Sequence, residues 1–292
     1  MKFNTASLFA VPALIWGSTF FVIKFQLGVV DPTWSVSYRF MLAGLILLGF
    51  SKVRGLSLDF TWEQHRFIFL QGIFLFGINY WLVYIAEQVL VSALAAVAFS
   101  IIIFLNILFG SLFLKKRSEP KVFVGAIMGF IGTFILFRTD LARIAIDDLP
   151  VFHLVVCFTS VVVASLGNIA SARNQAHGLP VIQTNACGML YGGMTIGVIA
   201  LFSGIPITFD SSFEYIGSLA YLSIFGSILA FGAYLTLIGK IGADKAAYVL
   251  IMMPIIAVSL SILFEDYPFG WEVIAGIGLI LAGNIVVLRK KK

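Results

Sequence analysis

The chain has 292 residues, 60% of them hydrophobic and only 11% charged, with a net charge of +5. Soluble domains carry roughly a quarter charged residues, so this balance excludes an ordinary soluble fold and points to a chain built for lipid. The positive charge does not indicate nucleic acid, because the bases sit in short clusters between apolar runs and not along one polar stripe. Runs near twenty apolar residues, bounded by Pro, Gly or charge, predict ten spans. They cover 6–27, 34–51, 67–87, 91–114 and 121–138, then 151–171, 181–203, 215–238, 243–264 and 271–288. Helices are expected, since a helix satisfies its own backbone in hydrocarbon and an open sheet edge does not. The first span is too long for a cleaved signal sequence and is read as a retained helix. Cys157 and Cys187 lie inside apolar stretches and are read as buried filler.

Orientation follows from the bases. The amino end, the even-numbered gaps and the tail hold 15 of the 19 Lys and Arg residues, including Lys115, Lys116, Arg117, Lys121, Lys240 and Lys245. That bias places both termini in the cytoplasm. Asp31, Asp140, Asp147, Asp148, Asp210, Glu214, Glu265 and Asp266 fall on the opposite side.

Taken in chain order, span one carries W16-G-S-T19 at mid-membrane. Gly17 and Ser18 suit close helix approach, and Trp16 and Thr19 are candidates to face a bound molecule. Lys24 lies near the outer end of span one and Arg39 in the outer part of span two. Both are read as snorkelling to water; the sharper reading has one of them meet Glu87 or a ligand carboxylate at the external mouth. Span three reads N79-Y-W-L-V-Y84-I-A-E87, which puts Tyr80, Tyr84 and Glu87 on one helical face. Tyr84 suits an interfacial belt and a cavity equally. Asn79, Ser100 in span four and Asn168 in span six each need a partner in hydrocarbon, supplied by a neighbouring helix or by a ligand. Tyr234 follows Tyr84 by 150 residues, and Tyr248 lies one turn before Met252. Pro254 interrupts the ladder of span nine and is a candidate kink or gating hinge.

The halves repeat. Ala93, Ala96 and Ile101 recur as Ala243, Ala246 and Ile251, 150 residues later. After one inserted residue, Gly125, Gly132 and Arg138 recur as Gly276, Gly283 and Arg289. Collinear matches over two successive spans indicate a duplication, here 6–138 and 151–289. With five spans per copy, the second copy is expected to sit upside down relative to the first. Inverted repeats of this kind let two halves rock about a central site, which points to a secondary transporter.

W16-G-S-T-F20, D31-P-T-W-S-V-S-Y-R-F-M-L-A-G44, S92-A-L-A-A96 and the terminal G-x6-G spans together resemble the drug/metabolite transporter superfamily, EamA type. The resemblance covers essentially the whole chain. It implies an all-α integral membrane protein of ten transmembrane helices, built as two inverted five-helix EamA-like repeats. It further implies export of small metabolites, commonly amino acids or related compounds, across a bacterial inner membrane. Small multidrug antiporters of that superfamily carry a mid-membrane Glu in the first span, where this chain has Trp-Gly-Ser-Thr. A neutral or zwitterionic cargo is therefore expected, moved by alternating access. The alternative is organophosphate or carboxylate exchange, with lipid flipping and intramembrane catalysis less favoured. The chain lacks HExxH and paired midplane Asp, and His65, His153 and His177 stand near span ends, so no enzyme, metal or cofactor is expected. The partners expected are the cargo and the lipid bilayer, and the working expectation is a monomer.

Overall fold

The computed structural model describes residues 4–90, 98–136, 138, 151–264 and 270–288. Ala93, Ala96, Asp140, Arg143, Asp147, Asp148, Glu265, Asp266 and Arg289 lie outside the described residues. The described chain is helical, with no strand. Its helices are α1 Thr5–Ile23, α2 Pro32–Val53, α3 Trp62–Glu87, α4 Ala98–Leu114 and α5 Pro120–Leu136. The second half holds α6 Val151–Ala176, α7 Val181–Phe202, α8 Phe213–Ile241, α9 Tyr248–Phe264 and α10 Trp271–Leu288. Six of these (α1 with its closing 3-10 turn, α2, α3, α6, α7 and α8) are long and apolar enough to cross a membrane. Segments Ala98–Leu114, Pro120–Leu136 and Trp271–Val287 are shorter apolar helices.

Side chains at the ends explain why several helices start where they do. Asn4 accepts from Ser7 N at 2.7 Å, and Asp31 accepts from Thr33 N at 2.8 Å just before Pro32, so α1 and α2 begin on capped turns. Thr61 and Gln64 form a reciprocal capping box, which begins α3 at Trp62, five residues before the expected 67. The expected span 243–264 divides into one turn, Ala243–Ala246, followed by α9.

Outward faces are apolar. Val124, Ile127, Ile131 and Phe134 of α5 are all half exposed at three- and four-residue spacing, as are Met194, Val198 and Leu201 of α7. A soluble monomer does not leave such stripes to water. With the long apolar helices, they make this a multi-pass membrane protein.

Small residues decide the interior. A Cβ on Gly125 would stand 2.8 Å from Gly283 O, and one on Gly132 would stand 2.9 Å from Gly276 O. The reverse contacts are equally close, so α5 and α10 cross backbone to backbone and run antiparallel. Between α2 and α7, Gly197 meets Ser37, Gly193 meets Met41, and Gly44 meets Leu190, which is again an antiparallel pairing. The halves also exchange helices: α1 packs on α8 and α9, while α6 packs on α3 and α4.

One further pair of features recurs. Helix α3 widens to a π-helix over Gly72–Ile78, and α8 does so over Leu222–Leu229, starting 150 residues later. Ser227 Oγ donates to Leu222 O at 2.9 Å across the widened turn. Wide turns of this type often mark functional positions.

Candidate functional site

Seen from the middle of the bundle, α1, α3, α4, α6, α8 and α9 enclose a cavity of about 60 Å³, room for a few waters. Its wall is aromatic and aliphatic, with polar atoms from Thr19, Asn79, Tyr80, Asn168 and Tyr234 and, among the described residues, no charged side chain. Trp16 anchors it. The Trp16 indole N–H donates to Gly226 O at 2.9 Å, and its ring meets Phe231 at 4.8 Å and Tyr234 at 5.1 Å, both edge to face. Thr19 Oγ1 donates to Trp16 O at 2.9 Å, so its methyl faces the neighbouring wall near Gly226. Gly17 abuts Met253 and Ile256 of α9 beside Pro254, while Ser18 bonds Ile15 O and the Tyr221 hydroxyl.

Beyond Tyr80 the bundle is sealed by a cluster built on Arg39. Its guanidinium is 0% exposed. Nε donates to Ser227 Oγ at 3.0 Å, Nη1 to the Tyr84 hydroxyl at 3.4 Å, and the group lies 4.5 Å over the Tyr80 ring. Tyr84 in turn donates to Gln26 Oε1 at 3.3 Å, and Gln26 Nε2 donates to Ser218 at 3.3 Å. Among the described residues Nη2 has no partner, and neither do the two buried oxygens of Glu87. Four elements therefore converge here: the turn after α1, α2, α3 and α8.

The other end is closed by a neutral cluster. Asn106 Nδ2 donates to Ala243 O at 3.0 Å, which turns its Oδ1 toward Ser165 Oγ at 2.7 Å and Asn168 Nδ2 at 3.5 Å. Asn168 Nδ2 also donates to the Tyr234 hydroxyl at 3.1 Å. Past this cluster opens a vestibule of about 1200 Å³, lined by Lys116, Arg117, Lys121, Lys240 and Lys245 against Glu119 and Asp244. Two contacts cross it: Ser118 Oγ donates to Asp244 at 2.7 Å, and Lys245 bonds Glu119. The Lys245 and Lys121 hydrogen bonds hold the Glu119 carboxyl below its ordinary value. Among the described residues no group of three His, Cys, Asp or Glu side chains stands placed to hold a metal ion.

The structure sorts the sequence candidates. Trp16, Thr19, Asn79, Tyr80, Asn168 and Tyr234 line the cavity. Tyr84 and Ser100 are buried away from its wall, and the Tyr84 hydroxyl serves the Arg39 cluster, neither in a belt nor in the cavity. Tyr248 is spent on packing α9 to α5, donating to Val122 O at 2.7 Å. Pro254 stands inside α9, and its missing N–H frees the carbonyl of Leu250, a cavity residue. Lys24 is exposed, as snorkelling requires. Arg39 does not snorkel: α3 and α8 close over it, and its charge is met by hydroxyls and a ring instead of water. Asn106, Ser165, Gln26, Ser227 and Phe231 were not singled out in the sequence. Asn106 was within reach of the rule applied to Asn79 and Asn168, an amide in an otherwise apolar span.

A bundle of apolar helices around an uncharged central cavity, with a wide vestibule at one end, has the build of a solute carrier. Residues 4–138 and 151–289 each match the EamA-like transporter family, and the chain belongs to it. An uncharacterized transporter of Archaeoglobus fulgidus is 23% identical, covering 97% of this chain and 98% of the relative. The uncharacterized inner membrane transporter YedA of Escherichia coli is 28% identical, covering 87% and 80%. Protein PagO of Salmonella typhimurium is 25% identical, covering 93% and 87%. A solved crystal structure shares the fold, with a TM-score of 0.77 at 19% identity over 97% of this chain and 96% of that one.

Proposed function

We propose that the chain is a ten-helix secondary transporter of the inner membrane that exports a small neutral or zwitterionic metabolite, of the amino-acid kind, by alternating access. The observation that carries this reading is the uncharged cavity at the seam of the two repeats, sealed on one side by the Arg39 cluster and bordered on the other by the vestibule. The antiparallel pairing of α2 with α7 and of α5 with α10 supports an inverted duplication, because matched helices of two copies then run in opposite senses. The Lys- and Arg-rich vestibule supports an inward-facing state with both termini in the cytoplasm. An apolar wall with a few fixed polar groups suits a solute of modest size.

An efflux and metabolite-resistance screen on overexpressing cells tests this. The expected result is resistance to one metabolite class and its faster release, lost on Trp16→Ala and weakened by Asn79→Leu. Cells and vesicles that release no metabolite faster than controls would overturn it. The unpartnered Nη2 of Arg39 favours one second reading, exchange of carboxylates or organophosphates. Under that reading, Arg39→Gln abolishes exchange of anions, and the exposed Lys24 is dispensable.

A further inference from the structure

Polar atoms without partners are rare in a protein interior, so those that border a cavity describe what it takes up. Two border this one. Asn79 and Asn168 are 5% and 1% exposed, both line the cavity, and the side-chain oxygen of each lacks a partner among the described residues.

Which amide atom is free is settled by the neighbours. Asn79 Nδ2 donates to Leu75 O at 3.3 Å, and turning the amide over would set two oxygens face to face. Asn106 is fixed by its donation to Ala243 O, so its Oδ1, which accepts from Ser165, also faces Asn168 at 3.5 Å and is better met there by a donor than by a second oxygen. Asn168 therefore presents Nδ2 to Asn106 and Tyr234 and keeps Oδ1 as a free acceptor. Both free atoms are acceptors, and no carboxylate stands in the wall to add a charge. Around them stand the rings of Trp16, Tyr80, Phe231 and Tyr234, whose faces attract a cation. Arg39 already occupies one face of Tyr80, so a second cation is held away from that side, toward Asn168.

We infer that Asn79 Oδ1 and Asn168 Oδ1 form an acceptor pair that binds a protonated amine on the cargo, oriented away from Arg39. This rests on the transport reading and narrows it: the group recognised in the cavity is the ammonium, and a carboxylate is not required there. Several N–H donors on one nitrogen match two buried acceptors, whereas a carboxylate would bring further acceptors to a wall that already has too many.

The test is direct binding to the purified full chain of three probes that share one branched apolar body. They are radiolabelled leucine, 3-methylbutylamine, which lacks the carboxylate, and 4-methylpentanoate, which lacks the ammonium. Leucine and the amine are expected to bind and to compete, and the acid is not. Asn79→Leu should weaken amine binding by about tenfold or more, the loss of one charge-assisted hydrogen bond. Asn79→Asp, whose protonated carboxyl keeps both the donation to Leu75 O and the free acceptor, should restore it and separates the role from packing. Equal binding of acid and leucine, or amine binding unchanged in Asn79→Leu, overturns the acceptor pair but leaves transport standing. Failure of leucine and the amine alike to bind also overturns it, and the efflux screen then judges transport separately.

Discussion

Two tyrosines in matching places of the two repeats hold very different company. Tyr84 of α3 and Tyr234 of α8 are both buried, each a few residues after the π-helical stretch of its helix. Tyr84 joins a buried cation, Arg39, with Gln26 beyond it. Tyr234 joins two amides and, through them, a serine, with no charge among them. Bonds to a charged group are worth about 1.5–3 kcal/mol each and neutral ones about 0.5–1.5 kcal/mol. The same scaffold is therefore latched firmly at one end and lightly at the other. On the transport reading proposed above, that inequality accounts for a vestibule beside the neutral cluster and not beside Arg39. On the same reading, a duplicated chain acquires a preferred closed end when the residues around one tyrosine are changed.

Removing the stronger latch breaks the comparison most directly. Arg39→Met deletes two charge-assisted hydrogen bonds, to Ser227 and Tyr84. It also deletes a buried cation that is costly to desolvate. The fold should survive, with thermal stability unchanged or raised. The outward-facing population should rise by roughly tenfold, because relief of the desolvation cost offsets part of the two lost hydrogen bonds. A single cysteine at Thr19, with Cys157 and Cys187 replaced by Ala, reports this through labelling of intact cells by a membrane-impermeant maleimide. Labelling no faster than in the Arg39 parent would mean that the cluster is not a latch.

The membrane architecture was legible because lipid leaves few choices. Apolar length, Pro, Gly and charge marked the helices to within a turn or two, as for α2, expected over 34–51 and found at Pro32–Val53. Helix α3 ran earlier because the Thr61–Gln64 box was not weighed. Gly125, Gly132, Gly276 and Gly283 were visible as repeated pairs, but not their crossed contacts, which require knowing that α5 meets α10. Arg39 was misread for a related reason. The cost of a buried charge argues for snorkelling until Ser227, Tyr84 and Tyr80 are seen around it, and two of those lie 45 and 188 residues away. Trp16, Asn79 and Asn168 were singled out by depth and polarity, and Tyr234 by its 150-residue offset from Tyr84. Their partners were not, since every one of those side-chain contacts but Asn79's bond to Leu75 O comes from a different helix.

A subtler pair of changes sharpens the comparison by sign. Tyr84→Phe and Tyr234→Phe each remove one hydroxyl and little volume, an effect of about 1 kcal/mol, or roughly fivefold in population. Tyr84→Phe should speed labelling of the Thr19 cysteine from outside. Tyr234→Phe should speed it from the cytoplasmic side, measured in inside-out vesicles, because it frees Asn168 at the inner border of the cavity. Changes of the same sign from both variants would show that the two tyrosines merely stiffen the bundle.

The weakest expected effect lies at the vestibule, where two ties between the repeats involve partly exposed side chains. Glu119 of the α4–α5 loop binds Lys245 of the α8–α9 turn and stands 3.2 Å from Lys121. Its carboxyl titrates below the ordinary 4.5 because Lys245, and then Lys121, hydrogen-bond the charged form. A depressed value means that the tie contributes stability above pH 4.5 and loses it as the pH falls through the lower folded value. Solvent and salt screen such a pair strongly. Glu119→Gln should therefore lower the melting temperature slightly at pH 7 in low salt. The gap should close below pH 4.5 and also in concentrated salt at pH 7. A gap that persists under both conditions would mean that Glu119 acts by shape and not by charge, and that the light end of the molecule is held by something other than these exposed ions.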